Sequence, residues 1–179
     1  MTKVVAARPA WPARVMIVGL IVVGVVTDQI TKAIAVARLV PGVPIRLVAD
    51  IFSLELLRNP GAAFSTGTGM TVGFTILALV VLVAVSSFVV PKVRSLAWAA
   101  AIGLGMAGVA GNFIDRLVRP PGPFRGYVVD FFSLKYFAVF NVADILLTTA
   151  AILIVVFALF VRIDLGGRHL SAERPAKTE

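Results

Sequence analysis

The chain has 179 residues, of which 59% are hydrophobic and only 15% are charged, and its mean hydropathy is +0.99. This apolar content exceeds the average for a soluble domain and indicates an integral membrane protein. The formal net charge of +8 is explained by cationic residues that flank membrane segments, so we do not expect a nucleic-acid partner.

Four apolar runs predict four membrane-spanning helices, because a run of about 20 residues crosses a hydrocarbon core roughly 30 Å thick. They lie at about residues 15–37, 70–90, 96–114 and 140–161. We therefore expect a cytoplasmic segment over 1–14, a transmembrane domain over 15–161 and a cytoplasmic tail over 162–179. A cleaved signal peptide is the alternative for the first run, which is longer than the roughly 7 to 15 apolar residues of such a signal.

The distribution of Lys and Arg predicts which side of the membrane each loop faces. An even number of spans places both termini on one side, and the termini together with the turn at 91–95 carry more Lys and Arg than the two loops opposite. The positive-inside rule then places both termini in the cytoplasm. The loops at 39–69 and 117–139 accordingly lie at the extracytoplasmic face.

Local patterns add detail to this architecture. Apolar and polar residues alternate over 51–56 and are followed by the turn Asn59-Pro60-Gly61, which predicts a short strand. The predicted fold class is an all-α integral membrane protein with four transmembrane helices and a small extracytoplasmic β element and loop over the active site.

In the third helix small residues recur every four positions, which allows close helix packing. They are Ala99, Gly103, Ala107 and Gly111.

Polar segments interrupt the apolar chain, and the predicted topology brings all of them to one membrane face. They are residues 28–32, 58–64, 111–116, 128–131 and 140–144. An ionisable side chain in the bilayer costs roughly 2.5 to 3.5 kcal/mol, so such residues usually have a function. One polar site at the extracytoplasmic face is the simplest explanation.

The residue types that are missing narrow the chemistry of that site. The chain has no cysteine, which excludes thiol catalysis, Cys-ligated metals and disulfides. Its single histidine, His169, lies in the tail, so a Ser-His-Asp triad and an HExxH zinc site are also excluded. A Ser-Lys pair that uses Lys32 is an alternative, but Asp28 lies one helical turn earlier and neutralises it. Carboxylates remain as the candidate catalysts, and we expect no metal and no cofactor.

The neighbours of four aspartates divide them into two groups. Lys32 follows Asp28 by one turn and Arg116 follows Asp115 directly, and a neighbouring cation favours the ionised carboxylate. Asp28 and Asp115 are therefore interpreted as structural.

Asp130 and Asp144 are instead surrounded by apolar residues. Burial favours the protonated carboxyl, and two close carboxyl groups can share one proton, as in aspartic proteases. One then activates water while the other protonates the carbonyl oxygen or the leaving amine. Each residue alone could equally be a buried polar anchor or a helix N-cap, and Asp115 with Asp144 is a rival pair.

Asparagine side chains recur beside these carboxylates. Asn112 precedes Asp115 by three residues and Asn141 precedes Asp144 by three, so each pair shares a helix face. An amide can donate to a carboxylate or to a substrate carbonyl, although Asn112 could equally serve as a polar contact between helices. Asn59, on its Pro-Gly turn, is expected to hold a peptide backbone.

The chain resembles the lipoprotein signal peptidases, the type II enzymes of bacterial membranes, over about residues 15–161. The five segments that carry the resemblance are D-Q-x-T-K, R-N-x-G-A-A-F, G-N-x-x-D-R, V-V-D-F and F-N-x-A-D, in this order. The resemblance implies an aspartic endopeptidase that removes the signal peptide from prolipoproteins whose lipobox cysteine carries a diacylglyceryl group, by cleaving before that cysteine. The catalytic pair of the family matches Asp130 and Asp144.

The resemblance also carries expectations about supporting residues and partners. The residues that support the site or hold substrate would be Asp28, Lys32, Asn59, Gly108, Asn112, Asp115, Arg116 and Asn141. It implies a monomer in the bacterial plasma membrane, in contact with membrane lipid and inhibited by the cyclic lipopeptide globomycin. Two departures are the short spacing between Asp130 and Asp144, which leaves the loop conformation open, and a Pro-rich stretch after Arg119.

Two other classes of protein are compatible with intramembrane charges. A proton-coupled transporter or small channel predicts polar residues along a full transmembrane path, but residues 70–90 and the inner halves of the other helices carry no charge. A purely structural assembly protein would not need a pair of aspartates near the membrane surface.

Overall fold

The structure is a computed structural model that describes residues 9–61 and 70–168. Residues 62–64 of the second polar segment, His169 and most of the predicted tail lie outside the described residues. The described part contains four helices that are long and apolar enough to cross a membrane and a three-stranded sheet, which confirms the predicted fold class. The division into terminal segments and a transmembrane domain stays a prediction.

The helices are α1 (Trp11–Arg38), α2 (Met70–Ala84), α3 (Leu96–Val118) and α4 (Val142–Val155). The helical path of α2 continues through a π-helical turn and a 3-10 turn to Lys92, and that of α4 through a π-helical turn to Val161. Three helix ends differ by a few residues from the approximate spans expected from the sequence, and each difference has a local cause.

α1 begins earlier than residue 15 because Pro12 lies in its first turn, where the missing N–H of proline costs nothing. α3 extends beyond residue 114 to Val118, and its last turn is stabilised by the ion pair of Asp115 with Arg119. α4 begins at Val142 because Asn141 is an extended N-cap residue.

The sheet is antiparallel, with strand order β1-β2-β3. Its strands are β1 (Ile45–Val48), β2 (Phe52–Asn59) and β3 (Val128–Leu134). The predicted strand is confirmed as β2, which runs on to Asn59. The sequence interpretation missed β1 and β3, although β3 contains the β-branched and aromatic residues that favour strands.

Two apolar clusters hold the parts together. Near the start of α1, Ala13 and Ile17 pack with Val93, Ala99 and Ile102. At its other end, Ala35 and Leu39 pack against residues of the sheet, namely Leu56, Val129 and Phe131. The sheet therefore covers the end of the bundle where α1 and α3 end and α2 and α4 begin.

The predicted stripe of small residues lies in the contact between α1 and α3. A Cβ atom built on Gly103 would lie 3.2 Å from Ile17 Cα, and one built on Gly111 would lie 2.6 Å from Asp28 Oδ2. The two helices therefore approach at distances that larger side chains would prevent. This contact also sets the distance between the charged residues of α1 and those of α3.

Candidate active site

Asp130 lies in β3 and is 2% exposed. Two asparagine amides donate to its carboxylate: Asn59 Nδ2 to Oδ2 at 3.0 Å and Asn141 Nδ2 to Oδ1 at 2.6 Å. Asn59 comes from the end of β2, and Asn141 precedes α4. Three separate segments of the chain therefore meet at this carboxyl group.

Asp144 lies in the first turn of α4, where the helix dipole favours a negative charge. It forms a capping box with Asn141: Asp144 N donates to Asn141 Oδ1, and Asn141 N donates to Asp144 Oδ2, both at 3.1 Å. Asn112 Nδ2 from α3 donates to the other oxygen of Asp144 at 2.8 Å. Asp144 is half-buried, so one side of it stays accessible.

Asn141 connects the two carboxyl groups. Its side chain donates to Asp130 while its backbone N–H donates to Asp144, and its amide also donates to Asn112 Oδ1 at 3.1 Å. The side chain itself is fully buried. A hydrogen-bond network of this kind fixes both carboxyl groups in one geometry, because each polar atom depends on its neighbour.

A cluster of buried charges lies beside the two carboxyl groups. Lys32 Nζ is 2.8 Å from Asp28 Oδ2 and 2.8 Å from Asp115 Oδ2, and all three side chains are fully buried. Lys32 also donates to Asn112 Oδ1 at 2.9 Å, which joins the cluster to the network around Asp144. Buried charges of this kind are stable only when they are paired and hydrogen-bonded.

The predicted partner of Asp115 was wrong. The cation that pairs with Asp115 from the same helix end is Arg119 and not Arg116. Arg119 lies one turn after Asp115, and its Nε is 2.6 Å from Asp115 Oδ1. Consecutive residues of a helix point in different directions, whereas residues four apart share a face. Asp115 Oδ2 also accepts from Val129 N at 3.2 Å and so ties α3 to β3.

Asp28 has a role that spacing alone did not indicate. Its Oδ1 accepts from Ala143 N at 2.9 Å, so a carboxylate of α1 caps one of the free N–H groups at the start of α4. Gly108 allows this arrangement, because a Cβ there would lie 3.0 Å from Leu147 N and 3.1 Å from Leu147 Cβ. Asp144 is therefore positioned by contacts with both α1 and α3.

Asp130 has a shifted pKa. Burial raises the pKa of Asp130 to about 6, the donated hydrogen bond of Asn59 lowers it, and the negative charge of Asp144 raises it again. Below about pH 6, the pair can therefore hold one proton between them, which is the state that aspartic proteases use.

Arg116, near the end of α3, belongs to a different set of contacts. Its Nη1 donates to Asn112 O at 3.2 Å, its Cζ lies 6.0 Å from the centre of the Phe74 ring, and its buried Nε has no hydrogen-bond partner within the described residues. The side chain lines a cavity of about 240 Å³ together with Phe74, Gly108, Asn112 and Leu147. This cavity offers donors for a bound carbonyl group.

Within residues 9–61 and 70–168 no group of three or more His, Cys, Asp or Glu side chains is arranged to hold a metal ion. The functional groups of the site are two carboxyl groups, three asparagine amides and one guanidinium. That set can transfer protons and hold a peptide carbonyl, which are the requirements of an aspartic peptidase.

Comparisons with known proteins give the same result. The family model of Signal peptidase (SPase) II matches residues 20–160. The chain belongs to the signal peptidase II family. It is therefore a multi-pass membrane protein and an aspartic endopeptidase that processes prolipoproteins.

Relatives and solved structures agree with this family. The chain is 48% identical over 141 residues to a protein of Rhodococcus jostii named lipoprotein signal peptidase, which covers 78% of this chain and 71% of that one. It is 41% identical over 153 residues to a protein of the same name from Mycobacterium tuberculosis. That alignment covers 85% of this chain and 75% of the other. A bacterial membrane enzyme solved by the in meso method at 1.9 Å superimposes with a TM-score of 0.71 at 32% identity, over 80% of this chain and 92% of that one.

The structure brings together the candidate site residues that the sequence predicted, and the expected contact of Asn59 with a substrate backbone stays a prediction. The amide of Asn59 donates to Asp130, and its oxygen accepts from Gly61 N at 2.8 Å. Sequence reasoning missed Gln29, whose Nε2 lies 3.1 Å from Asp28 Oδ2, from Gly111 O and from Asp115 Oδ1. Its place inside the first polar segment was the only signal.

Proposed function

We propose that Asp130 and Asp144 are the catalytic dyad with which this peptidase removes signal peptides from diacylglyceryl-modified prolipoproteins, by cleaving before the lipidated cysteine. The observation that carries the proposal is the position of Asn141, which donates to both carboxyl groups from two atoms of one residue.

The environments of the two groups assign their roles. Asp130 is the more buried group, and its raised pKa makes it the holder of the shared proton. Asp144, held by Asn112 and by the first turn of α4, is the base that takes a proton from the attacking water. Asp130 protonates the carbonyl oxygen in the same step. In the next step Asp144 gives its proton to the leaving amine, Asp130 takes a proton back from a hydroxyl group of the tetrahedral intermediate, and the C–N bond breaks.

The cavity beside Arg116 is the proposed place for the peptide next to the scissile bond. The guanidinium of Arg116, whose Nε has no partner within residues 9–61 and 70–168, supplies a donor to a substrate carbonyl, and Phe74 limits the space above it. This cavity continues past Val81, Val109 and Leu147 into an apolar cavity of about 290 Å³ between α2, α3 and α4. We assign that apolar space to the hydrophobic helix of the signal peptide.

Of the remaining predicted residues, Asp28, Lys32 and Asp115 support the dyad rather than touch substrate, whereas Gly108 also lines the cavity beside Arg116. Asp28, Lys32 and Asp115 form the buried ion cluster, and Gly108 allows α4 to approach α3.

The site lies at the end of the bundle covered by the sheet, which we assign to the extracytoplasmic face of the bacterial plasma membrane with both termini in the cytoplasm. The protein acts there as a monomer in contact with lipid, and globomycin occupies the substrate site.

Cleavage of a purified prolipoprotein, with and without its diacylglyceryl group, tests this function in detergent. Binding energy from the acyl chains positions the scissile bond, so the unlipidated substrate is expected to lose turnover as well as affinity. A chelator, a thiol reagent and a serine-acylating reagent are expected to leave cleavage unchanged. Equal cleavage of both substrates would refute lipid recognition, and inhibition by the chelator would refute the two-carboxylate mechanism.

A further inference from the structure

α2 is the helix that faces lipid over most of its surface. Within Met70–Ala84 the only buried residues are Thr71 and Thr75, which are 2% and 0% exposed. They lie one turn apart and therefore on the same face. The buried part of this apolar helix thus consists of two hydroxyl-bearing residues.

Both hydroxyl groups contact carbonyl groups of non-helical backbone. Thr71 Oγ1 donates to Pro60 O, and Thr75 Oγ1 lies 3.0 Å from Phe124 O. Thr75 Oγ1 also lies 2.8 Å from Thr71 O, the usual contact of a threonine with its own helix. Thr71 differs from Thr75 in that the structure gives its hydroxyl group a single acceptor, Pro60 O, within the described residues.

The two carbonyl groups belong to the segments that carry the dyad network. Pro60 follows Asn59, the last residue of β2, and Phe124 precedes the start of β3, the strand of Asp130. Asn59 and Val128 are cross-strand partners, so these two strand ends lie side by side. One face of α2 therefore holds the adjacent ends of both strands.

A chain of contacts leads from Thr71 to Asp130. Thr71 fixes Pro60, the adjacent Gly61 N donates to Asn59 Oδ1 at 2.8 Å, and Asn59 Nδ2 donates to Asp130 Oδ2 at 3.0 Å. A backbone carbonyl group that is shielded from water needs a protein donor, because an unpaired one costs free energy. Without the hydroxyl of Thr71 the turn at Pro60 loses a donor at the point where it orients Asn59.

We propose that Thr71 is a positioning residue, which holds the Asn59-Pro60-Gly61 turn so that the amide of Asn59 stays on Asp130. This inference rests on the proposed catalytic role of Asp130. Thr71 touches neither the substrate nor the dyad, and it acts through Asn59 alone. Thr75 anchors the neighbouring strand end and keeps the two ends together.

The test compares Thr71→Val, which removes the hydroxyl at nearly constant volume, with Thr71→Ser, which keeps it, and Thr71→Cys, a weaker donor. For Thr71→Val we expect kcat to fall about tenfold, the effect of roughly one hydrogen bond. The pH profile of its kcat/KM is expected to shift towards higher pH, the same direction that we expect for Asn59→Ala. Thr71→Ser should restore both properties and Thr71→Cys should lie between. Thr27→Val, at an exposed position of α1, is the matched control.

Combination with Asn59→Ala separates positioning from a general loss of stability. If Thr71 acts through Asn59, Thr71→Val adds no further shift to the pH profile of Asn59→Ala. An unshifted profile in the Thr71→Val and Thr71→Cys proteins, or fully additive effects in the double variant, would overturn the inference. Asp130→Asn is measured in parallel: an active Asp130→Asn protein would refute the dyad, whereas an inactive one with an unshifted Thr71→Val profile would refute only the role of Thr71.

Discussion

The side-chain amide of Asn59 donates to Asp130 Oδ2 at 3.0 Å across 71 residues of sequence. This contact stabilises the ionised form of a carboxyl group that burial would otherwise keep protonated. Asn59 is therefore part of the environment that sets the proton affinity of the dyad. Removal of its side chain is expected to raise the pKa of Asp130.

Asn59→Ala is expected to move the pH profile of kcat/KM towards higher pH. The pKa of Asp130 is about 6, and the loss of a hydrogen bond that lowers it leaves the group protonated to a higher pH. The profile of kcat/KM reports the free enzyme, so it should fall as the dyad loses its proton near pH 6 in the unchanged protein and later in the variant. Ser53→Ala, on the same strand, is the control, and an identical profile for Asn59→Ala would contradict the assignment.

Asp130→Asn and Asp144→Asn are each expected to lower cleavage by about 10²- to 10⁴-fold, the typical contribution of general acid–base catalysis. An amide can neither take a proton from water nor share one. Both proteins should insert and fold, because an amide fills the same space. The control is Asp50→Asn, whose carboxylate is exposed and paired with Arg46. Turnover close to that of the unchanged protein in either dyad variant would exclude the mechanism.

Asp115→Asn is expected to lower stability more than the chemical step. The change leaves Lys32 and Arg119 without their shared carboxylate, and breaking a buried ion pair costs about 3–5 kcal/mol. Thermal unfolding in detergent measures the first effect, and cleavage by the folded fraction measures the second. A stable Asp115→Asn protein without activity, together with an active Asp130→Asn protein, would favour Asp115 and Asp144 as the dyad.

Gly108→Ala is expected to reduce cleavage without any change to a charged group. The added Cβ would lie 3.0 Å from Leu147 N, so α4 must move away from α3 and carry Asp144 away from Asn112. Gly19→Ala is the matched control, because a Cβ at Gly19 meets nothing within 4 Å. The comparison uses kcat at saturating lipidated substrate. Equal activity of both variants would mean that the position of α4 tolerates this displacement.

The sequence was sufficient for features that depend on local composition. Apolar runs of sufficient length determined four spans, since each must match the thickness of the bilayer. The apolar neighbours of Asp130 distinguished it from Asp28, because burial acts on a side chain through its immediate surroundings. The pairing of Asp28 with Lys32 followed from the helical repeat and is present at 2.8 Å.

Only the tertiary structure decided which distant groups meet. Asp28 accepts from Ala143 N across 115 residues, and Asp115 pairs with Lys32 and Arg119 rather than with its neighbour Arg116. Such partners depend on the contact between α1 and α3, the register of β2 with β3 and the orientation of each side chain. Sequence spacing specifies a face of one helix or strand, whereas a hydrogen bond requires that two such faces be packed at a separation of about 3 Å.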